Sequence, residues 1–358
     1  MTPAVTESSV GGGPQPVDWN LAARVGAQLA GRDRLESSYL HDALVADFDT
    51  VTAQAEQLVT EFTGLRTPGS ANARVLDRAE WVRANVASTQ RLLLPLTDRL
   101  GARLAKSPLA PVGRAVAGAE LGVMLGFVAQ RVLGQYDLLV LEEDSEDAVY
   151  YVGVNVMALE RRYSFAPREF RRWIALHEVT HRAQFTGVPW MRGYFMELVQ
   201  GAISLVDPDP KRWLSMIGRI AGDLRRGRNP VDDHGLMGLV AGPEQRVVLS
   251  KMQALMSLLE GHGNAVMNRL GAEHVEGQAR MARVLEARRS SGGLQGLVNK
   301  LFGFDLKLRQ YEVGERFVDA VEREAGFAAL DRAWTAPQAL PTLAELRDAP
   351  AWLARVGA

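Results

Sequence analysis

The sequence contains no cysteine. Disulfides, thiolate zinc sites and iron–sulfur clusters are therefore excluded, and any metal must be held by His, Asp or Glu. Net charge is almost absent as well: 41 Lys and Arg against 42 Asp and Glu leave −1. No global basic field is present to attract a polyanion, so nucleic acid is not an expected partner. Histidine is scarce, at six residues, which makes any close pair of them informative. Long apolar runs are missing except between Ala115 and Ala129. That run falls short of a comfortable bilayer span and contains Glu120. Its Gly118, Gly122 and Gly126 give a helix a smooth face for close packing, so a buried core helix is expected there, with no membrane association.

What is present is ordinary globular material, 47% hydrophobic and 23% charged, with ample substance for a core. A length of 358 residues fits one large domain or two intimately packed ones. Residues 1–19 are polar and glycine-rich, lack the apolar core of a signal peptide and read as a disordered lead-in, with a cytoplasmic location the expectation. Residues 20–136 read as a helical N-terminal subdomain, with amphipathic stretches such as Leu44–Phe62 and Arg74–Ala87. A core domain over 137–334 opens on a β-hairpin, with strands at Leu138–Leu141 and Val149–Val154 around an acidic turn. Helices are then predicted at Pro167–Thr186, Trp190–Leu205, Lys211–Leu224, Pro243–Leu270, His274–Ser290, Gly293–Phe302 and Lys307–Gly326. Residues 335–358 form a proline-spaced strap ending in a short helix around Trp352. The expected class is mainly α with a small β-hairpin or sheet (α+β).

Residues 177–181 read His-Glu-Val-Thr-His. On a helix, His177 and His181 lie one turn apart on one face, so two imidazoles can grip one ion. Glu178 sits about 100° around the helix, off the ligand face yet near enough to touch a water held there. That is the arrangement of a general base beside a catalytic zinc. Phe170, Trp173 and Ile174 lie on the stripe that continues through His177, His181 and Gln184, so the imidazoles face inward. Two buried imidazoles without an ion would be costly to satisfy.

Zinc needs a third protein ligand and keeps a fourth position for water. A third histidine six residues after His181 is absent, since that position is Gly187. Glu260 is the first choice, because Gln253, Ser257, Glu260 and Asn264 form a polar stripe on an otherwise apolar helix. His262 is the rival; if it is not a ligand, it could steady a developing oxyanion. Glu273, His274 and Glu276 form another acidic cluster, read as a solvated helix start, and Glu197 is a weaker candidate. Tyr311 could stabilise an oxyanion, and Asn155 could help an extended substrate dock on the hairpin edge. The pairs Arg161-Arg162 and Arg171-Arg172 read as solvated helix faces.

Ser164–Pro167 leading into Trp173–Phe185, together with Leu258–Asn264 and Asp305–Gly314, resembles the zincin-like metallopeptidases often labelled as associated with deazaflavin-coenzyme biosynthesis. The resemblance spans roughly residues 20–355. It implies a gluzincin-like fold, one zinc ion on His177 and His181, Glu178 as base, and Glu260 in the glutamate-ligand role. Leu259 stands where standard gluzincins have asparagine before that glutamate. No nucleotide-binding glycine fingerprint occurs, so no deazaflavin site is expected. The function expected is a zinc-dependent hydrolase acting on a peptide or protein substrate. The alternatives are a zinc-containing scaffold without turnover, favoured if His262 closes a four-ligand site, and a small-molecule amidase.

Overall fold

The computed structural model describes residues 15–33, 35, 40–104, 110–137, 147–204, 243–290 and 304–357. Its elements run α1 (Trp19–Ala30), α2 (Leu40–Thr63), β1 (Asn72–Leu76), α3 (Arg78–Leu104), α4 (Ala110–Ala129), β2 (Gly134–Tyr136), β3 (Ala148–Val152), α5 (Gly153–Tyr163), α6 (Pro167–Thr186), α7 (Met191–Ser204), α8 (Pro243–His274), α9 (Gln278–Ser290), α10 (Phe304–Ala325) and α11 (Ala349–Val356). A 3₁₀ segment, Phe327–Trp334, follows α10. The helices predicted at Lys211–Leu224 and Gly293–Phe302 lie outside the described residues. The molecule is mostly helical with one small three-stranded sheet, an α+β architecture.

The chain divides into two compact units, residues 1–34 with 76–132, and residues 35–75 with 133–358. The contiguous helical stretch expected over 20–136 is thus shared between them. Residues 35–75 join the second unit because α2 packs along α6 and β1 pairs into that unit's sheet.

In the first unit α1, α3 and α4 pack on one another. Asp18 caps α1 by accepting from the Leu21 amide at 2.8 Å, one of the helix's otherwise orphaned donors. The glycine face of α4 meets α1 backbone to backbone: a Cβ on Gly122 would lie 2.6 Å from the Ala22 carbonyl, and one on Gly126 2.7 Å from that of Gly26. The expected smooth face is therefore used, but the expected full burial is not found. Val112, Val116 and Val123 are 61%, 50% and 43% exposed, because α1 and α3 are its principal partners among the described residues and leave its far side open. Of the described helices, α4 alone is long and apolar enough to cross a membrane by length and composition, and 28% of its apolar stretch is buried.

In the second unit α6 is the axis, with α2, α8 and the sheet all packing on it. The sheet order is β1-β3-β2, with β2 antiparallel to β3 in the register Gly134↔Tyr151 and Tyr136↔Val149. The hairpin expected here is corrected on both sides. The strand paired with β3 is Gly134–Tyr136, while the predicted Leu138–Leu141 lies outside the described residues. Gly153 and Val154, predicted as strand, begin α5. A Cβ at Gly153 would meet Leu44 Cδ2 at 2.5 Å and Val75 Cγ1 at 2.8 Å, so a larger residue at this turn from strand to helix would require the side chains of α2 and β1 to move. Asn155 accordingly sits buried in α5 and not on a strand edge. β1 was not expected at all. Its five residues, Asn-Ala-Arg-Val-Leu, carry too little apolar alternation to announce a strand.

Two arginines on α6 also depart from expectation. Arg171 is buried, forked onto both oxygens of Glu160 at 2.8 and 2.9 Å and onto Asp47 at 2.5 Å. Arg172 reaches the His274 carbonyl at 3.1 Å and Gln54 at 3.2 Å. These side chains tie α6 to its neighbours, where the sequence suggested a solvated face; Arg161 and Arg162 are exposed as expected. Arg182, fully buried, binds Glu56 at 2.5 Å, Asp147 at 2.6 Å, Thr67 at 2.7 Å and the Pro68 carbonyl at 2.9 Å. A buried guanidinium is tolerated only when its fork is filled in this way.

Candidate metal centre

The helix that carries the candidate ligands forms where the sequence places it. Ser164, in the left-handed region at φ 50°, closes α5, and Pro167 at the first position of α6 suits a helix start. Gly187 receives the last turn through its amide to the Ala183 carbonyl at 2.8 Å. Between these ends His177 and His181 stand one turn apart, their Nε2 atoms 3.2 Å from each other and their rings at 82°.

α8 supplies the third group. Glu260 Oε2 lies 3.7 Å from His177 Nε2 and 3.6 Å from His181 Nε2, and donor atoms of the three residues all fall within 4.8 Å of one another. Tetrahedral zinc with ligands at about 2.0–2.1 Å has ligand–ligand edges of about 3.3 Å. The three observed spacings match such a triangle to within roughly 0.4 Å, so the residues fit a zinc ion. No other His, Asp or Glu among the described residues joins them.

Close packing holds the triangle. Gly263, one turn beyond Glu260, faces both imidazoles: a Cβ there would lie 3.2 Å from His181 Cε1 and 3.4 Å from His177 Cε1. Behind the stripe, α8 and α10 meet at Gly261 and Gly314, where a Cβ on either would strike the other's backbone. Glu178 is buried against the first residue of β2. A Cβ on Gly134 would meet its Cγ at 2.6 Å and its Oε1 at 2.8 Å. Any larger residue at the start of the strand would displace the carboxylate from this position.

Electrostatics follow from this crowding. Burial alone would lower the His181 pKa, but the Glu260 carboxylate, aided by Glu178, outweighs it and raises the value to about 9. The metal-free centre thus holds a proton among these three groups at neutral pH. His262 moves the other way, to about 3, chiefly through burial, with His181 and Arg269 adding to the effect.

His262 does not reach the triangle. Its Nδ1 lies 2.9 Å from Gln184 Nε2, and its ring stacks on Phe327 at 5.7 Å and meets Trp334 edge-on at 5.1 Å. Of the two rivals for third ligand, the structure brings Glu260 to the imidazoles. Tyr311 belongs to α10, but its side chain lies outside the described residues. Glu273 and His274 are exposed at the end of α8, not at a helix start, and Glu197 is exposed on α7. A separate cavity of about 630 Å³ lies between the start of α8 and the C-terminal strap, lined by Tyr194, Val247, Lys251, Leu255, Leu340 and Arg355; none of the three metal-type donors lines it. In the C-terminal segment Trp352, on α11, is fully buried and donates to the Ala339 carbonyl at 2.8 Å.

Sequence reasoning missed the work of Gly134, Gly263 and Arg182. Gly263 carried a signal: a glycine one helical turn from a polar stripe residue is the position where a neighbouring ring can approach the backbone.

Comparisons with known proteins agree with this architecture. The sequence profile of a family described as zincin-like metallopeptidase matches residues 17–353. A crystal structure from Chloroflexus aurantiacus, described as a putative hydrolase with a novel fold, is similar over 95% of this chain and 99% of that one, with 29% identity and a TM-score of 0.69. No curated protein matches the sequence significantly. With the profile spanning nearly the whole chain, the protein belongs to the zincin-like metallopeptidase family.

Proposed function

We propose that the protein is a zinc-dependent hydrolase that cleaves peptide amides, with His177, His181 and Glu260 as metal ligands and Glu178 as general base. The observation that carries this reading is the triangle of Nε2, Nε2 and Oε2 at 3.2, 3.6 and 3.7 Å. A bound zinc supplies a Lewis acid that acidifies water and polarises a carbonyl. The residues do the rest. Imidazoles and carboxylate are oriented before the ion arrives, so little reorganisation is needed. Glu178, buried beside the ligand face and in electrostatic contact with His181, accepts the proton of the attacking water and passes it to the leaving nitrogen. Peptide or protein substrates are favoured by the family; nucleic acid is disfavoured by a net charge of −1.

The scaffold alternative needs a fourth protein ligand. His262 was the candidate, and its Nδ1 faces Gln184. The test is Glu178→Gln. We expect zinc content to stay at the wild-type level while hydrolysis of a peptide library falls about 10²–10⁴-fold. Full turnover by this variant removes Glu178 from the reaction.

A further inference from the structure

Gln184 occupies an unusual junction. Its Oε1 lies 2.9 Å from His181 Nδ1, and its Nε2 lies 3.0 Å from the Leu259 carbonyl and 2.9 Å from His262 Nδ1. All of these groups are in the second unit, and Gln184 is fully buried.

One backbone atom sets the direction of the hydrogen bonds in this chain of contacts. The Leu259 carbonyl can only accept, so the Gln184 atom facing it must be the amide nitrogen. The amide oxygen then faces His181 Nδ1, which must carry a hydrogen. With the Nδ1 hydrogen held toward Gln184, Nε2, the atom in the triangle, is the nitrogen that gives up its proton to a metal ion. The second amide hydrogen points at His262 Nδ1, which must accept and is therefore unprotonated. Phe327 and Trp334 hold the His262 ring in that orientation.

We propose that Gln184 is a positioning residue for the metal. It fixes the tautomer of His181 and is itself locked by His262 and the Leu259 carbonyl. The inference rests on the zinc reading above. It adds that α8 acts on the site twice: Glu260 is a ligand, while its neighbours at 259 and 262 orient, through Gln184, a ligand on α6. His262, weighed from the sequence as a ligand or an oxyanion partner, is here the anchor of that orientation. Groups hydrogen-bonded to metal-ligating histidines typically change metal affinity about 10–100-fold when removed.

The first test uses the unaltered protein. With histidines labelled by ¹⁵N and zinc bound, long-range proton–nitrogen spectra should show His181 protonated at Nδ1 and metal-bound at Nε2, and His262 unprotonated at Nδ1. His181 bound through Nδ1, or a proton on His262 Nδ1, overturns the proposal whether or not any variant folds. The second test compares wild type, Gln184→Met and Gln184→Glu by competition for zinc with a chromophoric chelator, and by the visible spectrum of the cobalt-substituted proteins. Gln184→Met should bind zinc about 10–100-fold more weakly with an altered cobalt spectrum. Gln184→Glu keeps an acceptor for His181 but loses both donors, and should fall between the two. Equal affinity and spectra in all three proteins refute the positioning role. A wild type that takes up no zinc refutes the metal centre itself, and the two failures are told apart by that control.

Discussion

If His181 is a metal ligand as proposed, a proton and the ion compete there for the same lone pair. The metal-free pKa is raised to about 9 against an ordinary value of 6.5, the Glu260 carboxylate outweighing the effect of burial. Zinc uptake at pH 7.5 should therefore release close to one proton, and apparent affinity should climb as pH rises toward 9. Calorimetric titrations in buffers of different ionisation enthalpy measure that release directly; uptake without it contradicts the charge balance described for the triangle. The same shift has a consequence for stability. A histidine whose pKa is higher in the folded state stabilises that state below its unfolded pKa of 6.5 and ceases to do so as pH passes about 9. Metal-free protein should thus lose stability between pH 6.5 and 9, whereas zinc-loaded protein should not. Urea midpoints across that range, with and without chelator, check the sign.

Among the elements, α8 and α10 are held at a separation only glycine permits. Gly314 lies far along the chain from the metal residues, yet a Cβ there would strike the Ser257 carbonyl and the Gly261 backbone. Gly314→Ala should cost about 1–3 kcal/mol through overpacking, and should also weaken zinc binding by pushing Glu260 away from the imidazoles. Denaturation together with chelator competition reads both effects; an unchanged variant would mean that the helices separate freely. On the opposite side of α6, Arg182→Met strips the guanidinium from Glu56 and Asp147. Removing one partner of a buried ion pair costs about 3–5 kcal/mol, and here the lower end applies because Asp147 is 28% exposed. The unfolding midpoint should fall accordingly.

α6 was legible from end to end, because a proline, a glycine and an apolar stripe mark it locally. The His177–His181 pair came with it, since one turn of helix is all the geometry it needs. Glu260 was legible as part of a polar stripe, but its arrival at the imidazoles depends on how α8 docks, which no local pattern states. β1 and β2 were not legible. Five residues with an arginine at the centre, or three residues beginning with glycine, become strands only because β3 lies between them. Arg171 and Arg182 were equally opaque, since a charge beside a helix face reads as solvated until its carboxylates arrive from positions such as Asp47, Glu56 and Asp147.

For the molecule as a whole, two of the three candidate ligands come from adjacent turns of one rod, and the last comes from another rod far along the sequence. An ion added to a refolding chain can therefore be captured completely only once those rods have met. If cobalt takes the place of zinc, its visible band should grow in with the final stage of assembly and lag behind the recovery of helical signal, so that its colour serves as a clock for docking.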